Sequence, residues 1–82
     1  MLGQVVLSKA GKDSGSFYVI LSEENDVAYI ADGKLRKVEK PKRKNVKHLA
    51  PTKTVLAPEA YETNARLRAA LAKFNQTDEG GN

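Results

Sequence analysis

Lys42, Arg43 and Lys44 stand in an unbroken run inside a longer basic segment that also holds Lys34, Arg36, Lys37, Lys40, Lys47 and Lys53. Between positions 34 and 53, nine Lys or Arg face the single acid Glu39, a local charge of +8; the other positions carry five bases and nine acids, which returns the chain's net +4. Like charges gathered this tightly in a small domain repel one another, and a polyanion relieves that repulsion. The chemistry these residues suit is phosphate neutralisation, with nucleic acid as the leading partner. A solvated, purely solubilising face is the plainer alternative, although ordinary surfaces intersperse the two signs.

A second constellation lies upstream. Ser8 and Lys9 lead into a loop where Gly11 and Gly15 bracket Lys12, Asp13 and Ser14. Glycines let the backbone turn sharply and bring its amides close to an anion. The same spacing equally describes a plain connection between two strands. His48, the single histidine, sits between Lys47 and Leu49. It has no partner at metal-ligand or catalytic spacing. In a basic surface it suits base stacking or a phosphate hydrogen bond; a half-buried structural role fits as well. Phe17, Tyr18 and Tyr29 are either stacking platforms or core. Glu23, Glu24, Asp26 and Asp32 fall where turns favour carboxylates. No Ser/His/Asp order, phosphate loop or metal-binding spacing occurs, so the expectation is a non-enzymatic protein without cofactor, metal or small-molecule substrate.

Eighty-two residues, 40% of them hydrophobic, allow one compact core and no more. The absence of cysteine removes disulfide scaffolds and thiolate metal sites, and fits a reducing compartment. No apolar run approaches the roughly 18 residues of a membrane span, and no signal-peptide core is visible. The expectation is a soluble, cytoplasmic domain with no membrane partner.

The elements that must position these groups are short. Gln4–Ser8 reads as a strand, Phe17–Leu21 as the strongest strand, extended slightly by Ser16 and Ser22, and Val27–Ala31 as a third, with Glu23 to Asp26 as the intervening turn. Asp32-Gly33 predicts a two-residue type I′ hairpin, returning residues 34–39 antiparallel and placing Lys34, Arg36 and Lys37 beside the turn. Leu35 and Val38, three apart, require a bulge or bend in that strand. Pro41 demotes the basic run to a loop or edge. Val46–Leu49 offers a last short strand or turn, which Pro51 stops. Five short strands joined by tight turns predict a mainly β fold, a small half-open barrel. The period then changes: Leu67, Leu71 and Phe74 recur at i, i+4 and i+7, an amphipathic helix capped at Thr63 or Asn64. The organisation expected is a barrel with its basic loop over 1–51, a linker over 52–62, a helix over 63–76 and a disordered tail over 77–82. The helical stripe covers either its own barrel or a partner's groove. A duplex-DNA reader is disfavoured, since the helix carries alanines and only scattered bases.

The stretch Gly3-Gln4-Val5-Val6-Leu7-Ser8-Lys9-Ala10-Gly11-Lys12-Asp13-Ser14-Gly15 resembles a KOW motif: a strand, a glycine-bracketed loop and a second strand. Tyr29-Ile30-Ala31-Asp32-Gly33-Lys34-Leu35-Arg36-Lys37-Val38, followed by Pro41-Lys42-Arg43-Lys44-Asn45-Val46-Lys47-His48-Leu49, is similar to the short bacterial KOW-domain RNA-binding proteins. Those are related to a KOW-containing large-subunit ribosomal protein of archaea and eukaryotes. The resemblance covers about residues 3–49 and continues loosely into 63–71. It implies a five-stranded SH3-like barrel with a C-terminal helix that binds RNA, ribosomal RNA foremost, with ribosomal proteins as further partners. Carried over by position, the RNA-binding residues are Ser8, Lys9, Gly11, Lys12, Asp13, Lys34, Arg36, Lys37, Lys42, Arg43, Lys44, Lys47 and His48. The long C-terminal extension of the ribosomal proteins has no counterpart here, so the expected role is ribosome-associated or translation-related rather than fixed ribosomal membership. The runner-up is a protein-interaction module of the transcription or translation machinery, using the barrel and the helix.

Overall fold

Strands that are apolar on both faces need cover on both sides, and the three central strands of this chain are of that kind. In the computed structural model, which describes residues 1–75, β1 (Gln4–Ser8), β2 (Phe17–Glu24) and β3 (Val27–Ala31) form the middle of an open, five-stranded antiparallel sheet. β4 (Lys42–Asn45) lies at one edge beside β3, and β5 (Leu49–Val55) at the other beside β1, giving the order β4-β3-β2-β1-β5. A helix, α1 (Asn64–Asn75), closes the described chain. Among the described residues no helix is long and apolar enough to cross a membrane.

The period of two divides the core. Val6, Tyr18, Ile20, Ala28, Ile30 and Leu49 meet on one face of the curled sheet. Their neighbours Val5, Val19 and Ala31 point the other way, where Leu67 and Leu71 of α1 cover them. Both leucines are fully buried, which stabilises by about 1.5–3 kcal/mol each relative to exposure. Phe74 extends the stripe onto Phe17, with ring centroids 5.3 Å apart. Asn75 then brackets the backbone of Phe17, accepting from its N–H at 2.7 Å and donating to its carbonyl at 3.1 Å. Of the two positions the stripe could take, it occupies the one on its own sheet. Thr63 is the helix cap, its hydroxyl accepting from the Arg66 N–H at 3.1 Å.

Three expectations need correction. β2 runs two residues beyond Ser22, because Glu23 and Glu24 pair with Ala28 and Val27, and the turn shrinks to Asn25 and Asp26. Asn25 takes the positive φ (56°) that this tight connection needs. β5 passes through Pro51, opposite Val6, and continues to Val55. An edge strand accepts proline because one of its sides has no ladder to serve. The segment read as a linker from position 52 thus begins as strand and continues with a 3-10 turn at Pro58–Tyr61.

The third correction concerns residues 34–39, which are not a strand. The strand returning beside β3 is Lys42–Asn45, with Ile30 opposite Lys42 and Val27 opposite Asn45. Gly33 has φ 79°, but Asp32 does not share the positive φ that a type I′ turn demands. The Asp32 carboxylate instead accepts from the N–H groups of Lys34 and Arg36, both at 2.9 Å. The Asp32 and Gly33 N–H groups donate to the Arg36 carbonyl at 2.9 and 3.0 Å. Asp32 is 9% exposed, and capturing these amides closes a wide loop rather than a ladder. The expected disordered tail at 77–82, and Gln76 at the helix end, lie outside the described residues.

Candidate nucleic-acid interface

β1 delivers its last residue, Ser8, into a closed loop. The Ser8 N–H donates to the Ser16 carbonyl and its carbonyl accepts from Gly15, both at 2.9 Å. Ser8 is 1% exposed, with its hydroxyl 3.4 Å from the Ala10 carbonyl. Its contribution is the shape of the loop. Gly11–Asp13 form a 3-10 turn, with Gly11 at φ 78° and the Ser14 N–H donating to the Gly11 carbonyl at 3.1 Å. Lys9, Gly11 and Lys12 are exposed there; the Asp13 side chain is not among those described.

A second element converges on this loop. After β4, Asn45 caps the 3-10 turn Val46–His48 by accepting from the Lys47 N–H at 3.0 Å. The Val46 N–H donates to the Asp26 backbone carbonyl at 2.8 Å, and the His48 carbonyl accepts from the Lys9 N–H, also at 2.8 Å. The Lys44 ammonium reaches across and donates to the Ala10 carbonyl at 2.9 Å. The curl of the sheet therefore brings Lys9, Lys12, Lys44, Lys47 and His48 to one corner, although they lie up to 39 positions apart in the chain. His48 is exposed; of its two readings, the half-buried one is removed.

The run of three cations does not form one surface. Cross-strand partners share a face, so Lys42 opposite Ile30 and Lys44 opposite Ala28 lie on the side of the inner core, and Arg43 opposite Tyr29 lies on the other. Lys42 and Lys44 are half-buried at the sheet edge, and Arg43 is exposed. Of the aromatic residues considered as stacking platforms, Tyr18 is core and Phe17 packs on Phe74. Tyr29 is half-buried and borders an open depression with Arg43.

The remaining cations occupy the loop after β3. Lys34 and Lys37 are exposed and Arg36 half-buried. The loop is fixed to the helix: Arg68 donates to the Gly33 carbonyl at 2.9 Å, and Asn64 accepts from the Val38 N–H and donates to Glu39, both at 2.8 Å. The Asn64 hydrogen bond, with Glu39's own backbone N–H and the Lys37 charge as further causes, holds the Glu39 carboxyl below the usual carboxylate range. Lys40 borders the same depression as Arg36 and Lys37 and was missing from the expected set; its place within the basic run was the available signal. Asn64, read as a cap, instead orders the loop, a long-range role with no local signature.

Charge is thus presented as two groups, one at the corner of the Gly11–Asp13 turn and one on the loop over 32–41, joined by β4, whose four residues span roughly 13 Å. No family model matches this chain, and no curated protein gives a significant match.

Proposed function

We propose that this chain is a non-catalytic RNA-binding protein whose SH3-like, KOW-type half-open barrel contacts the phosphate backbone of structured RNA, with ribosomal RNA as its target and a ribosome-associated or translation-related role. The observation that carries the reading is the convergence of the Gly11–Asp13 turn and the Val46–His48 turn, tied by the Lys44–Ala10 and Lys9–His48 hydrogen bonds. It sets exposed Lys9, Lys12, Lys47 and His48 on backbone that is already ordered. Cations on ordered backbone lose little conformational entropy when they meet phosphates. Phosphate contacts set register rather than base identity, so sequence specificity from this corner is low. Six such contacts on a single strand give a log–log salt slope of about −4. The protein-interaction alternative loses its main surface, because Leu67 and Leu71 are buried on the chain's own sheet.

Crosslinking of the protein to RNA in cells, followed by sequencing of the attached fragments, tests the reading. A sharp peak on one ribosomal RNA helix supports it in full. Reads scattered over many transcripts retain RNA binding and remove the ribosomal target. Recovery no better than an uncrosslinked control overturns it. In vitro, neutralising Lys42, Arg43 and Lys44 together lowers both affinity and salt dependence; unchanged affinity removes these residues from the interface.

A further inference from the structure

Leu35 is 76% exposed, at the tip of a loop that is not free to fold it away. Both flanks are held: Lys34 and Arg36 by the Asp32 carboxylate, and Gly33 by Arg68. Val38, three residues on, packs against the helix-side core instead. Beside Leu35 lies an open depression of about 440 Å³, lined by Leu35, Arg36, Lys37, Glu39, Lys40 and Pro41. Its chemistry is specific: two apolar side chains, three cations, and one carboxylate whose position Asn64 fixes by a 2.8 Å hydrogen bond.

Lone exposed leucines are common. This one stands on a restrained tip, beside a concavity, within the densest positive charge of the chain. A phosphodiester accounts for the cations but gives no partner to Leu35, Pro41 or Glu39. A nucleotide whose base is out of the stack supplies all of these at once. Unpaired bases are the parts of RNA that proteins read directly, and leucine and proline serve as apolar surfaces against bases. A carboxylate accepts hydrogen bonds from base amino groups and offers about four acceptor positions, so the Asn64 bond leaves capacity. Adenine, cytosine and guanine carry an exocyclic amino group; the N–H of uracil is flanked by two carbonyls, which a carboxylate repels.

We propose that this depression takes one unpaired RNA nucleobase bearing an exocyclic amino group: Leu35 and Pro41 contact the base, Glu39 accepts from its amino group, and Arg36, Lys37 and Lys40 meet the adjoining phosphates. The inference rests on the RNA-binding reading and adds to it the structural class of target, a bulge or loop rather than an uninterrupted duplex.

The test is fluorescence anisotropy of the full chain with five labelled hairpins of identical stem. Four carry a single bulged A, C, G or U, and the fifth is fully paired. The wild type binds the A, C and G bulges about fivefold more tightly than the paired stem, the scale of partly burying a leucine, and more tightly than the U bulge, which has no amino group for Glu39. Leu35→Ala, at a position too exposed to unsettle the fold, removes that preference and leaves the salt slope unchanged. Glu39→Gln, which presents a donor as well as an acceptor, removes the discrimination against U. Equal affinity of the wild type for all five RNAs overturns the nucleobase slot while leaving phosphate binding in place. Retention of the full preference by Leu35→Ala also overturns it, and retained discrimination against U in Glu39→Gln overturns the role of that carboxylate. Binding to none of the five overturns this inference and the RNA reading together.

Discussion

The Lys44 ammonium lies 2.9 Å from the carbonyl oxygen of Ala10, so a cation of the edge strand closes the loop that follows the first strand. That contact makes Lys44 a structural member of the basic corner, unlike its exposed neighbour Lys47. Lys44→Met is expected to lower the melting temperature by about 4–8 °C, the effect of roughly 1 kcal/mol in a domain of this size. Lys47→Ala is expected to leave melting unchanged while reducing the magnitude of the salt slope by about 0.7, one phosphate contact. Thermal melts followed by circular dichroism, with RNA titrations at several salt concentrations, separate the two roles. Equal melting temperatures for the two variants would contradict the assignment.

Gly33 sits where the loop over 32–41 meets the start of α1. A Cβ there would stand 2.4 Å from the Asn64 carbonyl oxygen and 3.1 Å from the Arg68 nitrogen, both backbone atoms, at φ 79°. Gly33→Ala should therefore cost at least about 2 kcal/mol and lower the melting temperature by about 8–16 °C. Gly15→Ala is the control: its φ is 92°, but nothing lies within 4 Å of the added carbon. It carries only the conformational cost, about 1 kcal/mol. The reverse ranking in urea or thermal unfolding would contradict the close approach of loop and helix.

Leu71 contacts the sheet through the cluster of Val5, Val19 and Ala31. Leu71→Ala is expected to destabilise by about 2–5 kcal/mol, measured by urea denaturation. Ending the chain after Ala57 removes Leu67, Leu71 and Phe74 together, and should abolish cooperative unfolding. A truncated chain that melts like the full one would show that the stripe serves something other than its own sheet.

The pH dependence of Glu39 follows from its depressed pKa, caused first by the Asn64 hydrogen bond. A carboxyl whose folded pKa lies below its ordinary value of 4.5 adds stability above that value and loses it as pH falls through the folded pKa. The melting-temperature advantage of the wild type over Glu39→Gln should be present at neutral pH and shrink as pH drops below 4.5. An advantage that grows on acidification would reverse the sign and remove the Asn64 contact as its cause.

Where the chain carried a local pattern, reading it by position was enough. β1 and β3 have the bounds their apolar runs suggest, and the helix follows from the i, i+4, i+7 spacing of Leu67, Leu71 and Phe74. The two-sided cover of the central strands was seen only in the structure, where Leu67 and Leu71 pack on Val5, Val19 and Ala31 while Val6, Tyr18 and Ile20 face the other way. The hairpin after Ala31 was misread because Asp32-Gly33 carries a strong local signal. That signal was overruled by an Asp32 carboxylate that takes two nearby amides, and by Asn64 and Arg68, which lie more than 30 positions from Asp32.

The amino-acid sequence alone determined the segregation of charge, the mainly β character and the helical stripe, because each is set by composition or by a period of a few residues. Only the tertiary structure decided which cations share a surface. Strand alternation parts Arg43 from Lys42 and Lys44, and the curl of the sheet brings Lys44 and His48 to the loop of Lys9 and Lys12. Adjacency in the chain opposes the first arrangement and is silent about the second. Both arise from hydrogen bonds and packing between segments 12 to 39 residues apart, which no short window of sequence encodes.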